Sequence, residues 1–357
     1  MRKVLSVVGT RPNLMKTAPV VAELEHCGID QVLVHTGQHY DAMMSAVFFD
    51  ELGIREPDHF LEVGSGTHAQ QTARVMERLE PVLVDERPDI VLVPGDVNST
   101  LAAALTAAKL GITVGHIEAG LRSGDWSMPE EINRIVTDSV SSLLFIHSPE
   151  ARDNLIAEGH DAAAIHYAGN TMIDTLVAMR DRLPQATRAG HLVVTLHRPA
   201  LVDGPLLHDA IAELRALATQ LPVVFPAHPR TRASIERQGI ATEGIELIEP
   251  IGYLEFLGLV ASAAGVLTDS GGIQEETTFL GVPCFTLRDN TERPVTVELG
   301  TNVLLGLHPQ RIAEVPALID EVRSRAASVP PYWDGAAAGR IADVLCSQAV
   351  IRRRSWR

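Results

Sequence analysis

Short apolar, β-rich segments alternate with helix-patterned segments along nearly the whole chain, and this alternation constrains the fold more than any other feature. Val4 to Val8, Gln31 to Thr36, Ile90 to Pro94, Thr113 to Ile117 and Leu143 to His147 form the first series. Their apolar character is continuous instead of alternating, as expected of strands covered on both faces. Between them Ala18 to His26, Gln70 to Asp85, Ser99 to Leu110 and Ile132 to Ser142 carry helical spacing. Strands separated by helices pair in parallel through right-handed crossovers, which predicts an α/β, doubly wound sheet. A second series, His191 to Thr195, Val223 to Pro226, Glu246 to Ile248, Gly265 to Thr268 and Pro283 to Thr286, predicts a second sheet of the same kind. The polar stretch Pro184 to Gly190, after a helix near Met172 to Leu183, reads as the linker. With 357 residues the chain is long enough for two cores.

Hydrophobic residues make up 46% and charged residues 21%, which excludes the disordered class. The net charge of -15 repels nucleic acid and anionic membrane, so a bound phosphate must be held by a local site. The cluster Arg352 to Arg354 with Arg357 reads as a solvated tail. Cys27, Cys284 and Cys346 are too few and too far apart for a disulfide framework or a zinc site, which implies a reducing, cytoplasmic setting. The first residues run straight into a strand and are too brief for a signal-peptide core, and no apolar run reaches the roughly 18 residues of a membrane span.

Ligands of open parallel sheets bind beyond the carboxyl ends of the strands, and the polar clusters fall there. In the first half these are Gly9-Thr10-Arg11-Pro12, Thr36-Gly37-Gln38-His39, Gly95-Asp96 and Glu118-Ala119-Gly120. In the second half they are His197-Arg198, His228-Pro229-Arg230 and Asp269-Ser270-Gly271-Gly272.

The last of these carries the clearest chemistry. Ala261 to Leu267 reads as a buried strand and Ile273 to Leu280 as a helix, with the glycines at the joint. Such a turn aims unpaired N–H groups and the positive end of the helix dipole at one spot, which suits a phosphate. Gly271 and Gly272 admit an oxygen close to the backbone, Ser270 can donate, and Glu275 or Glu276 can accept from a sugar hydroxyl. The alternative is an ordinary capped helix. Lys16, five residues after Arg11, either brings a point charge to the cleft or lies on a solvated helix face.

Asp96 and Glu118 each end a strand, and Glu130-Glu131 opens a helix after Pro129. Converging carboxylates are what proton transfer requires, while each taken singly also fits a turn or a first-turn dipole partner. His197 breaks an apolar strand where ligands sit. The first β-α turn lacks the glycine fingerprint of nicotinamide binding, so no such cofactor is expected.

These blocks, together with Gly115-His116-Ile117-Glu118-Ala119-Gly120-Leu121-Arg122, Pro129-Glu130-Glu131-Ile132-Asn133-Arg134, Gly169-Asn170 and Thr291-Glu292-Arg293-Pro294, resemble the non-hydrolysing UDP-N-acetylglucosamine 2-epimerases. The resemblance implies two Rossmann-like domains in a glycosyltransferase-B arrangement with an interdomain cleft, no cofactor, and a homodimer. It implies residues 1–173 as the carboxylate-bearing domain, 174–333 as the UDP-binding domain and 334–357 as a C-terminal helix returning to the first. It further implies reversible C2 epimerisation of UDP-N-acetylglucosamine to UDP-N-acetylmannosamine by elimination and re-addition of UDP through a 2-acetamidoglucal. Asp96, Glu118, Glu130 and His197 fall on the family's catalytic positions. Arg11, Lys16, His228, Ser270, Gly271, Gly272, Glu276 and Arg293 fall on its substrate positions. The chain departs from the family pattern at Asn13, commonly Glu, at Pro199-Ala200 after His197-Arg198, and at Tyr40-Asp41. A hydrolysing relative and a glycosyltransferase are the competing readings on the same fold.

Overall fold

The computed structural model describes residues 3–37, 53–184, 188–325 and 327–347. Gln38, His39, Tyr40 and Asp41, residues 185–187 of the expected linker, and the terminal arginine cluster lie outside the described residues. The chain forms two compact units, one of Met1–Val177 with Pro331–Arg357 and one of Ala178–Pro330.

The first unit is built on a 7-stranded parallel sheet in the order β3-β2-β1-β4-β5-β6-β7. The strands are β1 Lys3–Val8, β2 Asp30–His35, β3 His59–Phe60, β4 Ile90–Pro94, β5 Thr113–Ile117, β6 Leu143–Ile146 and β7 Ile165–Tyr167. Leu5, Val7, Val91 and Val93 point to one face, against Val75, Leu79 and Leu83 of the His68–Glu86 helix and the alanines of the Asn98–Lys109 helix. Val4, Ile90 and Leu92 point to the other, against Val20 and Leu24 of the Arg11–His26 helix. Side chains alternate faces along a strand, so a sheet covered on both sides needs an unbroken apolar run.

The second unit has a 6-stranded parallel sheet in the order β10-β9-β8-β11-β12-β13. These are β8 Leu192–Thr195, β9 Val223–Pro226, β10 Ile245–Ile248, β11 Gly265–Thr268, β12 Cys284–Thr286 and β13 Asn302–Leu304. Leu192 and Val194 enter one core while Val193 and Val266 enter the other. Both units therefore have the doubly wound α/β class that the alternation predicts. No helix among the described residues is long and apolar enough to cross a membrane.

Three expectations about elements need correction. The run Ala261 to Leu267 is not one strand, because Ala261 ends the Tyr253–Ala261 helix and β11 begins at Gly265. The helix expected from Ala18 begins at Arg11 and passes through Pro19. Proline lacks the N–H that would reach Met15, four residues back, but the Thr175 hydroxyl donates to the Met15 carbonyl at 2.6 Å. The helix expected to continue to Leu183 leaves α geometry after Met179.

In the first unit the Ala337–Ser347 helix lays Ala338, Ile341, Ala342 and Leu345 on the core beside Val20 and Leu24. Its first N–H groups, at Ala337 and Ala338, donate to the Asp174 carboxylate at 3.1 and 2.7 Å. The segment before it fits only against a glycine, since a Cβ on Gly169 would lie 2.1 Å from the Tyr332 carbonyl oxygen.

Candidate active site

In both sheets the strand order reverses beside the first strand of the unit, between β1 and β4 and between β8 and β11. Crevices at such switch points are where open α/β sheets bind ligands. Lys16, Asp96 and Glu118 gather near the first of these places and His197 with Ser270 to Gly272 near the second, while His228 follows β9, away from the switch point, and each is described within its own unit.

In the first unit Pro94 pairs with Ile117, so Gly95-Asp96 and Glu118 leave adjacent strands at the same level. Glu118 forms a buried ion pair with Lys16, which rules out the solvated helix face for that lysine. The second Glu118 oxygen stands 4.0 Å from His147 Nε2, at the end of β6. Glu118 has a φ of 71°, a left-handed conformation that costs a non-glycine residue about 1–3 kcal/mol and so needs local support. Its N–H and that of Ala119 both donate to the Phe145 carbonyl at 3.0 Å.

Gly95 also has a positive φ, and a Cβ there would lie 3.2 Å from Lys16 Nζ and 3.5 Å from Glu118 Oε2. Only glycine brings the backbone this near the ion pair without displacing it. Asn13 accounts for one departure from the family pattern. Buried, it accepts from the Thr10 hydroxyl at 2.9 Å and donates to the Pro94 carbonyl at 3.0 Å, a donation that a carboxylate there could not make.

Asp96 pairs with Arg134, and Arg134 pairs in turn with Glu131. Arg134 and Glu131 are both 2% exposed, whereas the Asp96 side chain is 26% exposed and open to a ligand. The two neighbouring glutamates of the Pro129–Val140 helix thus separate by role. Glu131 faces inward and accepts from the Ser123 N–H and hydroxyl and the Gly124 N–H, at 2.9 to 3.1 Å, fixing that loop. Glu130 sits half-buried in the helix's first turn. Arg11 is half-buried at the start of its helix.

Asn170, to which the sequence reading assigns no role, lines a small pocket with Lys16, Glu118 and His147. Its Oδ1 accepts the Met172 N–H at 2.9 Å, and its buried Nδ2 has no partner among the described residues. A buried amide donor left in this way is suited to a ligand oxygen. The signal available in sequence was the Gly169-Asn170 block and its place just after β7.

In the second unit Thr268 pairs with Thr195, which brings Asp269 beside the segment that follows β8. One Asp269 oxygen accepts the His197 and Arg198 N–H groups, each at 2.8 Å, and the other lies 2.9 Å from His197 Nδ1. Burial acts to raise the Asp269 pKa, but these hydrogen bonds and His197 outweigh it and hold the carboxyl below the usual range. The carboxylate therefore fixes the imidazole orientation and leaves Nε2, on a ring 45% exposed, as the presented nitrogen.

Ser270 caps the Gly271–Leu280 helix in an extended conformation without a side-chain capping bond. The two glycines differ. A Cβ on Gly272 would meet nothing within 4 Å, while one on Gly271 would lie 2.6 Å from Arg293 Nη1 and 2.8 Å from Glu292 Oε1. Arg293 is buried against Glu275 at 2.8 Å and Glu292 at 2.7 Å, and Arg288 binds the other Glu292 oxygen at 2.7 Å. Arg293 thus stands behind the helix start inside a buried ionic network. Glu276 is buried and accepts the Tyr253 hydroxyl at 2.8 Å. His228 is exposed at the N-cap of the Pro229–Gln238 helix, where its Nδ1 accepts the Arg230 N–H at 3.2 Å.

A sequence profile of the UDP-N-acetylglucosamine 2-epimerases matches residues 22–346. The chain belongs to this family. It is therefore an isomerase-type enzyme, and its relatives carry related names. It is 42% identical over 331 residues to the UDP-N-acetylglucosamine 2-epimerase of Methanococcus maripaludis, covering 87% of this chain and 90% of that one. It is 44% identical over 352 residues to the UDP-2,3-diacetamido-2,3-dideoxy-D-glucuronate 2-epimerase of Pseudomonas aeruginosa, covering 96% and 99%. The solved structure of the Methanocaldococcus jannaschii UDP-GlcNAc 2-epimerase, in complex with UDP-GlcNAc and UDP, matches with a TM-score of 0.87 at 38% identity. That match covers 96% of this chain and 99% of the other.

Proposed function

We propose that this epimerase-family protein reversibly converts UDP-N-acetylglucosamine to UDP-N-acetylmannosamine by eliminating and re-adding UDP. The C1–O bond breaks and its electron pair leaves with UDP, while a carboxylate takes the C2 proton and the C1–C2 double bond of a 2-acetamidoglucal forms. Return of UDP to C1 with a proton delivered to the opposite face of C2 gives the epimer, and no external oxidant or reductant is needed.

The observation that carries this reading is the placement of two carboxylates, each paired with a cation, Glu118 with Lys16 and Asp96 with Arg134, at the ends of adjacent strands. The C2 proton becomes acidic as positive charge grows at C1, so departure of the diphosphate and removal of the proton assist one another. Ser270, Gly271 and Gly272 at a helix start suit the diphosphate, electrostatic help of this kind is usually the largest single contribution, and Arg11 and Lys16 belong to the proposed substrate set. Glu130, His197, Glu276, His228 and Arg293 complete the proposed set. In this reading residues 1–173 supply the carboxylates and 174–333 hold UDP, and the enzyme works as a cytoplasmic homodimer without added cofactor.

The 44% identity to the P. aeruginosa relative favours a second reading, a UDP-2,3-diacetamido-glucuronate substrate with the same chemistry at C2. Incubation of each UDP-sugar in heavy water, followed by NMR, tests both. Epimer with deuterium at C2 is expected. Epimer that keeps its original C2 proton rules out elimination, and free N-acetylmannosamine with UDP as main products makes the enzyme a hydrolysing one. Sedimentation equilibrium checks the dimer.

A further inference from the structure

We propose that His116 and Asp138 form a buried, hydrogen-bonded pair that positions Asp96 and Glu118 relative to each other, an inference that rests on the catalytic roles given to those two carboxylates. Both side chains are wholly buried. His116 Nδ1 lies 2.6 Å from Asp138 Oδ1, and Nε2 lies 2.7 Å from the Gly95 carbonyl oxygen. A carbonyl oxygen only accepts, so Nε2 carries a proton. Asp138 Oδ2 accepts the Gly120 N–H at 3.1 Å and faces Arg122 Nη2 at 2.8 Å. Burial pushes the Asp138 pKa up, but His116 and Arg122 more than offset it and keep the carboxyl ionised.

The pair touches the backbone on each side of the candidate site. The Gly95 carbonyl belongs to the peptide bond that leads into Asp96, so the hydrogen bond from Nε2 sets that peptide's orientation. Gly120 lies two residues after Glu118, and its N–H is held by the same carboxylate that holds His116. Asp138 also shares the Pro129–Val140 helix with Arg134, the partner of Asp96. One buried carboxylate thereby ties the Asp96 turn, the Glu118 turn and the helix that orients Asp96. His116 and Asp138 are positioning residues, because neither reaches the carboxylates' reacting oxygens.

The test uses the full-length protein. With ¹⁵N-labelled histidine, Nε2 of His116, assigned by its disappearance in His116→Gln, is expected to carry a slowly exchanging proton held by the Gly95 carbonyl. An Nε2 without a proton, or one that exchanges freely with solvent, overturns the proposal without reference to any activity. Asp138→Asn keeps the volume and removes the charge. It should lower kcat on the order of a hundredfold, the effect of a small misplacement, while KM and UDP affinity change less than about threefold. A folded Asp138→Asn protein with normal kcat, or one whose loss falls on KM, overturns it as well. Full turnover in Asp96→Asn and Glu118→Gln would remove the catalytic reading and the positioning role together. That result is distinct from failure of the pair alone, in which those two variants are slow and Asp138→Asn is not.

Discussion

The ammonium of Lys16 and the carboxylate of Glu118 meet in an ion pair with side-chain exposures of only 11% and 7%. Removing one member of such a pair leaves the other charge buried and uncompensated, at about 3–5 kcal/mol. Glu118→Gln should therefore lose stability as well as lowering turnover by roughly a hundredfold or more. The double variant Lys16→Met with Glu118→Gln should recover much of the stability and none of the turnover. Thermal melting and initial rates on both proteins check this, and wild-type turnover in the double variant removes Glu118 from catalysis.

Asp96 differs because its partner Arg134 keeps a second carboxylate, Glu131. Asp96→Asn should fold nearly normally and lose roughly a hundredfold or more in turnover. Glu130→Gln should behave likewise. Glu131→Gln should instead destabilise the protein by about 3 kcal/mol or more, since Arg134 and the Ser123-Gly124 loop lose a charged acceptor. Normal rates in Glu130→Gln would exclude it from the proton-transfer set.

For the diphosphate, Gly272 is the discriminating position. Its Cβ direction is open, so Gly272→Ala should leave the fold intact while obstructing a ligand oxygen, weakening UDP by about 2 kcal/mol, roughly thirtyfold. Gly271→Val should chiefly destabilise, because its new atoms collide with Arg293 and Glu292. Calorimetric titration with UDP decides, and unchanged affinity in a folded Gly272→Ala protein moves the phosphate elsewhere.

His35, at the end of β2, is buried, and burial lowers its pKa from 6.5 to about 4. Between those values the unfolded chain binds a proton that the folded chain excludes. The contribution is therefore complete above pH 6.5 and is lost as pH falls to about 4, on the order of 3 kcal/mol. Urea unfolding followed by tryptophan fluorescence reports on the first unit, since Ala178–Pro330 contains no tryptophan. His35→Gln should flatten that acid limb, and an unchanged slope would show that other groups control it.

By itself the sequence determined the α/β class, most strands to within a residue, and the strand ends at which polar residues gather. These follow from local pattern, because a strand buried on both faces must be apolar throughout and the chain can turn polar only where it leaves the sheet. It also supplied the family, through ordered blocks that no single spacing could specify. Tertiary structure alone decided what lies far apart in sequence. That Lys16 belongs to Glu118, that Glu131 and not Glu130 fixes a loop, and that His116 joins Asp138 to Gly95 all depend on strands brought side by side. Short strands such as β3, β7 and β13 carry too few residues to show a period and gain their definition from a paired neighbour. The helix through Pro19 is a further case, since a hydroxyl from Thr175, remote in sequence, takes up the Met15 carbonyl that the proline leaves without its donor.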